Sequence, residues 1–122
     1  MRKLDAARAD IEPPVQHGPA HADLTLVCWG STYGPLRETV DRLNAEGHSA
    51  NLVHFCDIWP FPTEAARAAL QDARRVVVVE GNATGQFEFL LQAHAGVRAD
   101  GHVRRYDGRP FTPEYILARL DR

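Results

Sequence analysis

A chain of 122 residues has the length of one domain and is long enough to bury one hydrophobic core. Hydrophobic residues make up 44% and charged residues 25%, and a formal net charge of −2 argues against the basic face that a nucleic-acid or acidic-membrane binder needs. No apolar run approaches the roughly 18 residues that cross a bilayer, and Met1-Arg2-Lys3 leads into LDAARADIE rather than an apolar signal core, so a cytoplasmic protein is expected.

Residues 1–10 read as a short helix with Leu4, Ala7 and Arg8 in register. The next segment, IEPPVQHGPAHA, holds two consecutive prolines, which exclude a helix and favour an extended linker or edge strand. Residues 1–22 are therefore set apart from a regular domain over 23–122, and the chain is expected to begin just after a larger upstream domain or to reach onto a neighbour. From Asp23 the pattern alternates. DLTLVCW is an apolar strand ended by GSTYG. PLRETVDRLNAEG places Leu36, Val40 and Leu43 on one helical face, with Pro35 in the first turn and Gly47 as terminator. ANLVHF is the next strand, CDIWPFP a stiff aromatic connection, and TEAARAALQDA a helix capped by Thr63. RRVVVVE reads as a strand buried on both faces, and GQFEFLLQAHAG as a helix closed by Gly96. HVRRYD is the last strand, and TPEYILARL a final helix with Thr112 as cap and Pro113 in its first turn.

The order β-α-β-α-β-α-β-α with short connections predicts a three-layer α/β/α sandwich. Right-handed crossovers put GSTYG and GNATGQ at the same, carboxyl edge of a parallel sheet. If the strand order reverses between them, the two loops flank the crevice where ligands bind.

In GNATGQ, the N–H groups near Gly85 and Gln86 could hold an anion at a helix start. The loop lacks the lysine of a P-loop and the spacing of a dinucleotide fold, and Glu80 at its entrance would repel a phosphate. The plainer reading gives Gly81 and Gly85 the turn geometry and Thr84 the cap, while Asn82 and Gln86 bond to backbone or to a partner chain. Ser31 and Thr32 are either anion-binding hydroxyls or helix caps, the second being the plainer role; the context of Ser31 is not that of a nucleophile elbow.

His17 and His21 are spaced as metal ligands on a helix would be, but the nearby prolines argue against that helix. His54, Cys56 and Asp57 invite a catalytic triad, yet neighbours along a strand end point to alternate faces. Trp59 and Phe61, held by prolines, are interface anchors or caps on the domain's own core. Arg109, in a plain turn, is a candidate carboxylate or phosphate partner, with a structural role favoured. Two cysteines, Cys28 and Cys56, without CxxC spacing, read first as reduced thiols, a disulfide or a reactive thiol being the alternatives. An iron–sulfur cluster wants several closely spaced thiolates, so this chain alone ligates none. No nucleophile–base pair supports a stand-alone hydrolase, and no catalytic or metal-binding residue is assigned.

DLTLVCWGSTYGPLRETVDRLNAEG, WPFP, VVVVEGNATGQFEFLL and YDGRPFTPEYI, taken together from Lys3 to Leu120, resemble the C-terminal domain of the α subunit of 2-oxoacid:ferredoxin oxidoreductases of the 2-oxoglutarate and branched-chain types. The resemblance implies a fold like the transketolase C-terminal domain, a mostly parallel five-stranded sheet with one antiparallel strand that PPVQHGP would supply. It implies a parent enzyme that oxidatively decarboxylates a 2-oxoacid with coenzyme A and passes electrons through iron–sulfur clusters to ferredoxin. It places thiamine diphosphate and Mg²⁺ between a pyrimidine-binding domain of the α subunit and the β subunit, both outside this sequence. The expected role is then non-catalytic: subunit contacts and the surroundings of an active site, with a homodimer of the domain left open. The competing reading is a small-ligand domain holding a phosphate or coenzyme A between GSTYG and GNATGQ.

Overall fold

The structure, a computed structural model, describes residues 14–55, 62–81, 85–105 and 109–120, with Ser31 described by its backbone alone. The expected helix over residues 1–10 lies outside them. Five strands form one sheet: β1 (Val15–His17), β2 (Leu24–Trp29), β3 (Ala50–Phe55), β4 (Val76–Glu80) and β5 (Gly101–Arg104), in the order β1-β3-β2-β4-β5. β3, β2, β4 and β5 run parallel, and β1 pairs antiparallel with β3, Val15 opposite His54 and His17 opposite Leu52. The proline-flanked segment is thus the antiparallel edge strand. Pro14 before it and Gly18-Pro19 after it keep it short, as an edge requires.

Four helices cover the sheet: α1 (Tyr33–Ala45), α2 (Thr63–Leu70), α3 (Gln86–Leu90), which continues into a π-helical turn over Leu91–Ala95, and α4 (Pro113–Arg119). The two-residue period of the strands divides the core between the faces. Leu26, Cys28, Val77 and Val79 pack with Leu36, Val40 and Leu43 of α1 and Ile116 of α4. Val27, Val53, Phe55 and Val78 pack with Ala66 and Leu70 of α2 and with Phe87 and Leu91. Helices therefore sit on both faces, and the valine run of β4 is buried throughout because each face has its own cover. Cys28 is buried inside the first of these cores.

The ends of α1 show why the sequence stops it there. Gly47 adopts φ +92°, the His48 amide donates to the Leu43 carbonyl at 2.9 Å, and the Gly47 amide donates to Asn44 at 3.1 Å, the two bonds of a Schellman motif. The Asn44 side chain then bonds both the carbonyl and the amide of Ala50 at 2.9 Å, fixing the helix to the start of β3. At α4, Thr112 accepts from the Tyr115 amide at 3.1 Å and Pro113 occupies the first turn, as expected.

Three local expectations differ from the structure. Thr63 is the first residue of α2, whose N-cap position is held by Pro62, one residue earlier than expected. Thr32 occupies the N-cap of α1, but its hydroxyl donates backward to the Trp29 carbonyl at 3.1 Å. A 3-10 turn, Gly30–Thr32, tightens the chain before α1 and takes the cap geometry away from the Thr32 hydroxyl. Gly81 has no left-handed φ, and among the described residues of its loop only Gly85 supplies that conformation.

On the surface, Arg42 of α1 bridges Glu38 at 2.8 Å and Glu114 of α4 at 3.1 Å. Glu114, chiefly, and Glu38 raise the Arg42 guanidinium above its ordinary range. The Glu114 carboxyl is held below the usual carboxylate range first by its own backbone N–H and then by Arg42. His17 of β1 meets Asp41 of α1 at 2.7 Å, tying the edge strand to the helix layer. Among the described residues no helix is long and apolar enough to cross a membrane.

Candidate functional site at the carboxyl edge of the sheet

Because β2 lies between β3 and β4, the chain leaves β2 to one side and returns to the other, and the sheet reverses its order at the β2–β4 boundary. The loops after β2 and β4 leave from that boundary. Beneath them, Phe87 of α3 packs on Phe55 at 5.4 Å and on Trp29 at 6.2 Å between ring centroids, an aromatic floor joining the ends of β2 and β3 to α3.

Glu80 ends β4 with its side chain on the face covered by α3, and it is 1% exposed. Its Oε1 accepts from the Phe87 amide at 3.0 Å and its Oε2 from the Glu88 amide at 3.2 Å. Those amides belong to the first turn of α3, whose N–H groups have no partner within the helix. The anion at this helix start is therefore the chain's own carboxylate, placed where helix polarity favours negative charge. The sequence suggests that Glu80 repels an incoming phosphate; in the structure it takes the two donors such a group would use.

Arg104 completes the corner from the neighbouring strand. It stands opposite Glu80 in the β4–β5 register, and its guanidinium donates to Glu88 Oε1 at 3.2 Å. His102 Nδ1 lies 3.5 Å from the same oxygen. Gly85, the N-cap of α3 at φ +67°, has no room for a side chain, since an added Cβ would overlap Arg104 Nη2 and lie 2.7 Å from its Cζ. Arg104 Nε is buried without a hydrogen-bond partner. The Arg104 carbonyl accepts from the Tyr115 hydroxyl at 3.0 Å, and the Arg105 amide donates to the Glu80 carbonyl at 3.3 Å, so α4 and β5 are tied to the same corner.

At the other loop, His54 Nε2 lies 2.6 Å from the Gly30 carbonyl. A carbonyl only accepts, so the bond requires the proton on Nε2. Tyr33 meets the His54 ring edge-on, with 5.1 Å between centroids. This histidine holds the loop after β2 against β3.

The structure places Thr32, Glu80 and Gly85 around the switch point, with Gln86 exposed at the first position of α3 and Ser31 in the turn after β2. Arg109 is exposed ahead of Pro110 and Phe111. Asn82, Thr84, Trp59 and Phe61 lie outside the described residues, as do Cys56 and Asp57 of the triad considered around His54. Arg104, Glu88, His102 and Tyr115 have no local motif that marks them. Among the described residues no three His, Cys, Asp or Glu side chains gather to hold a metal ion.

The sequence matches the family described as pyruvate:ferredoxin oxidoreductase core domain II over residues 22–116. It is 35% identical over 101 residues to the α subunit of 2-oxoacid:ferredoxin oxidoreductase 2 of Aeropyrum pernix, covering 83% of this chain and 16% of that subunit. The fold matches 2-oxoglutarate:ferredoxin oxidoreductase from Magnetococcus marinus, solved with 2-oxoglutarate, coenzyme A and succinyl-CoA bound, at TM-score 0.85 and 29% identity over 94% of this chain and 20% of that one. It also matches the α chain of a probable 2-oxoacid ferredoxin oxidoreductase from Thermoplasma acidophilum at TM-score 0.59 and 36% identity, covering 87% of this chain and 91% of that one. A split-gene transketolase, at TM-score 0.61 and 18% identity, shares the fold. The chain thus spans about a sixth to a fifth of the length of two curated α subunits from Aeropyrum pernix. By sequence and by fold, it belongs to the pyruvate:ferredoxin oxidoreductase core domain II family.

Proposed function

We propose that this chain is a non-catalytic C-terminal domain of the α subunit of a thiamine-diphosphate-dependent 2-oxoacid:ferredoxin oxidoreductase. The parent enzyme converts a 2-oxoacid to its acyl-CoA and delivers electrons to ferredoxin. This domain acts by assembly: it joins the pyrimidine-binding domain and the β subunit and shapes the edge of an active site built on those chains. Thiamine diphosphate, Mg²⁺ and the iron–sulfur clusters are assigned to the other domains. No step of the reaction is assigned to this chain.

The observation that carries this reading is the Glu80 carboxylate on the amides of Phe87 and Glu88. A corner whose helix-start donors are taken by a buried internal carboxylate is built for shape. The competing reading, a phosphate or coenzyme A site between the two loops, would need Glu80 to withdraw and leave a buried charge without partners, a cost of about 3 kcal/mol or more.

Reconstitution tests the proposal. The purified chain alone gives no 2-oxoacid-dependent reduction of a viologen dye, and adding it to the remaining α-subunit and β-subunit polypeptides restores the activity. A complete enzyme that keeps full activity after deletion of this region would refute it.

A further inference from the structure

A groove of about 490 Å³ opens at the opposite, amino edge of the sheet, between the end of α2, the start of β4 and the segment after the π-helical turn. Arg67, Arg74 and Arg98 line it together with one carboxylate, Asp100. That carboxylate is already engaged with the sheet: Asp100 Oδ2 accepts from the Val76 amide at 2.7 Å, and the Asp100 amide donates to the Val76 carbonyl at 2.7 Å. Arg67 is braced, its Nε donating to the Ala95 carbonyl at 3.1 Å at the end of the π-helical turn. This contact answers a carbonyl left open at a helix end, and it leaves both terminal nitrogens of Arg67 for another acceptor. Arg74 spends Nη1 on Asp23 at 3.0 Å, a pair exposed on both sides, and keeps Nη2. Arg98 has no hydrogen bond or ion pair to the described residues.

Capping of helix ends accounts for one nitrogen of one arginine. It leaves the exposed guanidinium groups of Arg67 and Arg98, with Arg74 shared with Asp23, around one groove whose own carboxylate, Asp100, is engaged with the sheet, an excess of positive charge that favours an entering anion. The floor beside them is aliphatic, from Leu70 and Val97, with no aromatic ring to stack a base. We propose that this groove binds a small phosphate-bearing anion. The braced fork of Arg67 takes two oxygens, and Arg98 and Arg74 close over the remaining charge. This inference is independent of the assembly role, since it concerns the other edge of the sheet.

Pyrophosphate titrated into the full chain, followed by calorimetry and by amide shifts, provides the test. The expected result is saturable binding, with shifts centred on residues 67–76 and 95–100. Binding should weaken with added salt and fall at least about tenfold in an Arg67→Gln/Arg98→Gln variant. Arg119→Gln, which removes an exposed arginine elsewhere, should leave it unchanged. Arg98→Gln alone, which breaks no hydrogen bond or ion pair to the described residues, keeps the test decisive should the double variant lose its fold. Comparison of inorganic phosphate with a nucleoside diphosphate distinguishes a free anion from a phosphorylated metabolite. Absence of saturation by about 10 mM, a Kd well above the millimolar range, would overturn the proposal. So would equal affinity in the arginine variants. Tighter binding of a hexaglutamate peptide than of pyrophosphate would also overturn it, making the groove a docking surface for an acidic protein segment.

Discussion

The carboxylate of Glu80 accepts the backbone N–H of Phe87 at 3.0 Å inside a site where Glu80 is 1% exposed. Phe87 simultaneously lays its ring on Phe55 and Trp29. One contact thus couples the end of the central strand β4 to the start of α3 and, through the ring, to the ends of β2 and β3. The corner holds its shape through its own chain.

Replacing Glu80 by Ala should therefore remove two charge-assisted bonds and destabilise the domain by about 2–4 kcal/mol, read by urea denaturation. Glu80→Gln keeps the shape and one strong acceptor and should lose clearly less. Equal losses would show that the negative charge itself, and not the shape and acceptor geometry, carries the effect.

Gly85→Ala meets two obstacles, the left-handed φ of +67° and the Arg104 guanidinium. The expected loss is about 1–3 kcal/mol. Combining it with Arg104→Ala removes the overlap and leaves only the backbone term, so the two substitutions should be non-additive. Strict additivity in the cycle would mean that Arg104 does not limit position 85.

Caps offer a contrast between two threonines. Thr112→Ala should cost about 1 kcal/mol, because its hydroxyl accepts the Tyr115 amide. Thr32→Ala loses a bond to the Trp29 carbonyl and no helix cap, so it should cost less. Thermal unfolding of the two variants side by side checks the order.

The Glu114 carboxyl titrates below its usual range, so its contribution to stability is present above the unfolded carboxylate pKa and is lost as pH falls through the lower, folded value. Arg42 moves in the opposite sense and stays charged until strongly alkaline pH. Glu114→Gln should flatten the acid limb of the stability–pH profile slightly. The effect should shrink further in high salt, because both groups are largely exposed. An unchanged acid limb at low salt would count against the pair.

The strands, the helices from Tyr33 onward and the edge strand were legible because hydrophobic period, proline and glycine act locally. Gly47 and Thr112 are of this kind: each sets its helix end through residues within a turn. The candidate corner was legible only in part. Glu80 reaches residues seven and eight positions onward across a strand–helix junction, and Arg104 comes from the next strand, 19 residues beyond Gly85, so no local spacing rule finds either. Thr32 fails as a cap, and Thr63 lies one residue inside its helix, for a related reason. Short polar residues at a helix start satisfy the rule equally well in several positions, and the 3-10 turn and Pro62 decide between them.

The central role proposed for this domain is assembly of the complex. Mass photometry of the remaining α-subunit and β-subunit polypeptides, with and without the chain, measures that directly. The predicted result is the complete complex only when the chain is present, with the Glu80→Ala variant assembling less well than the native chain. The same complex formed equally in its absence would contradict the account.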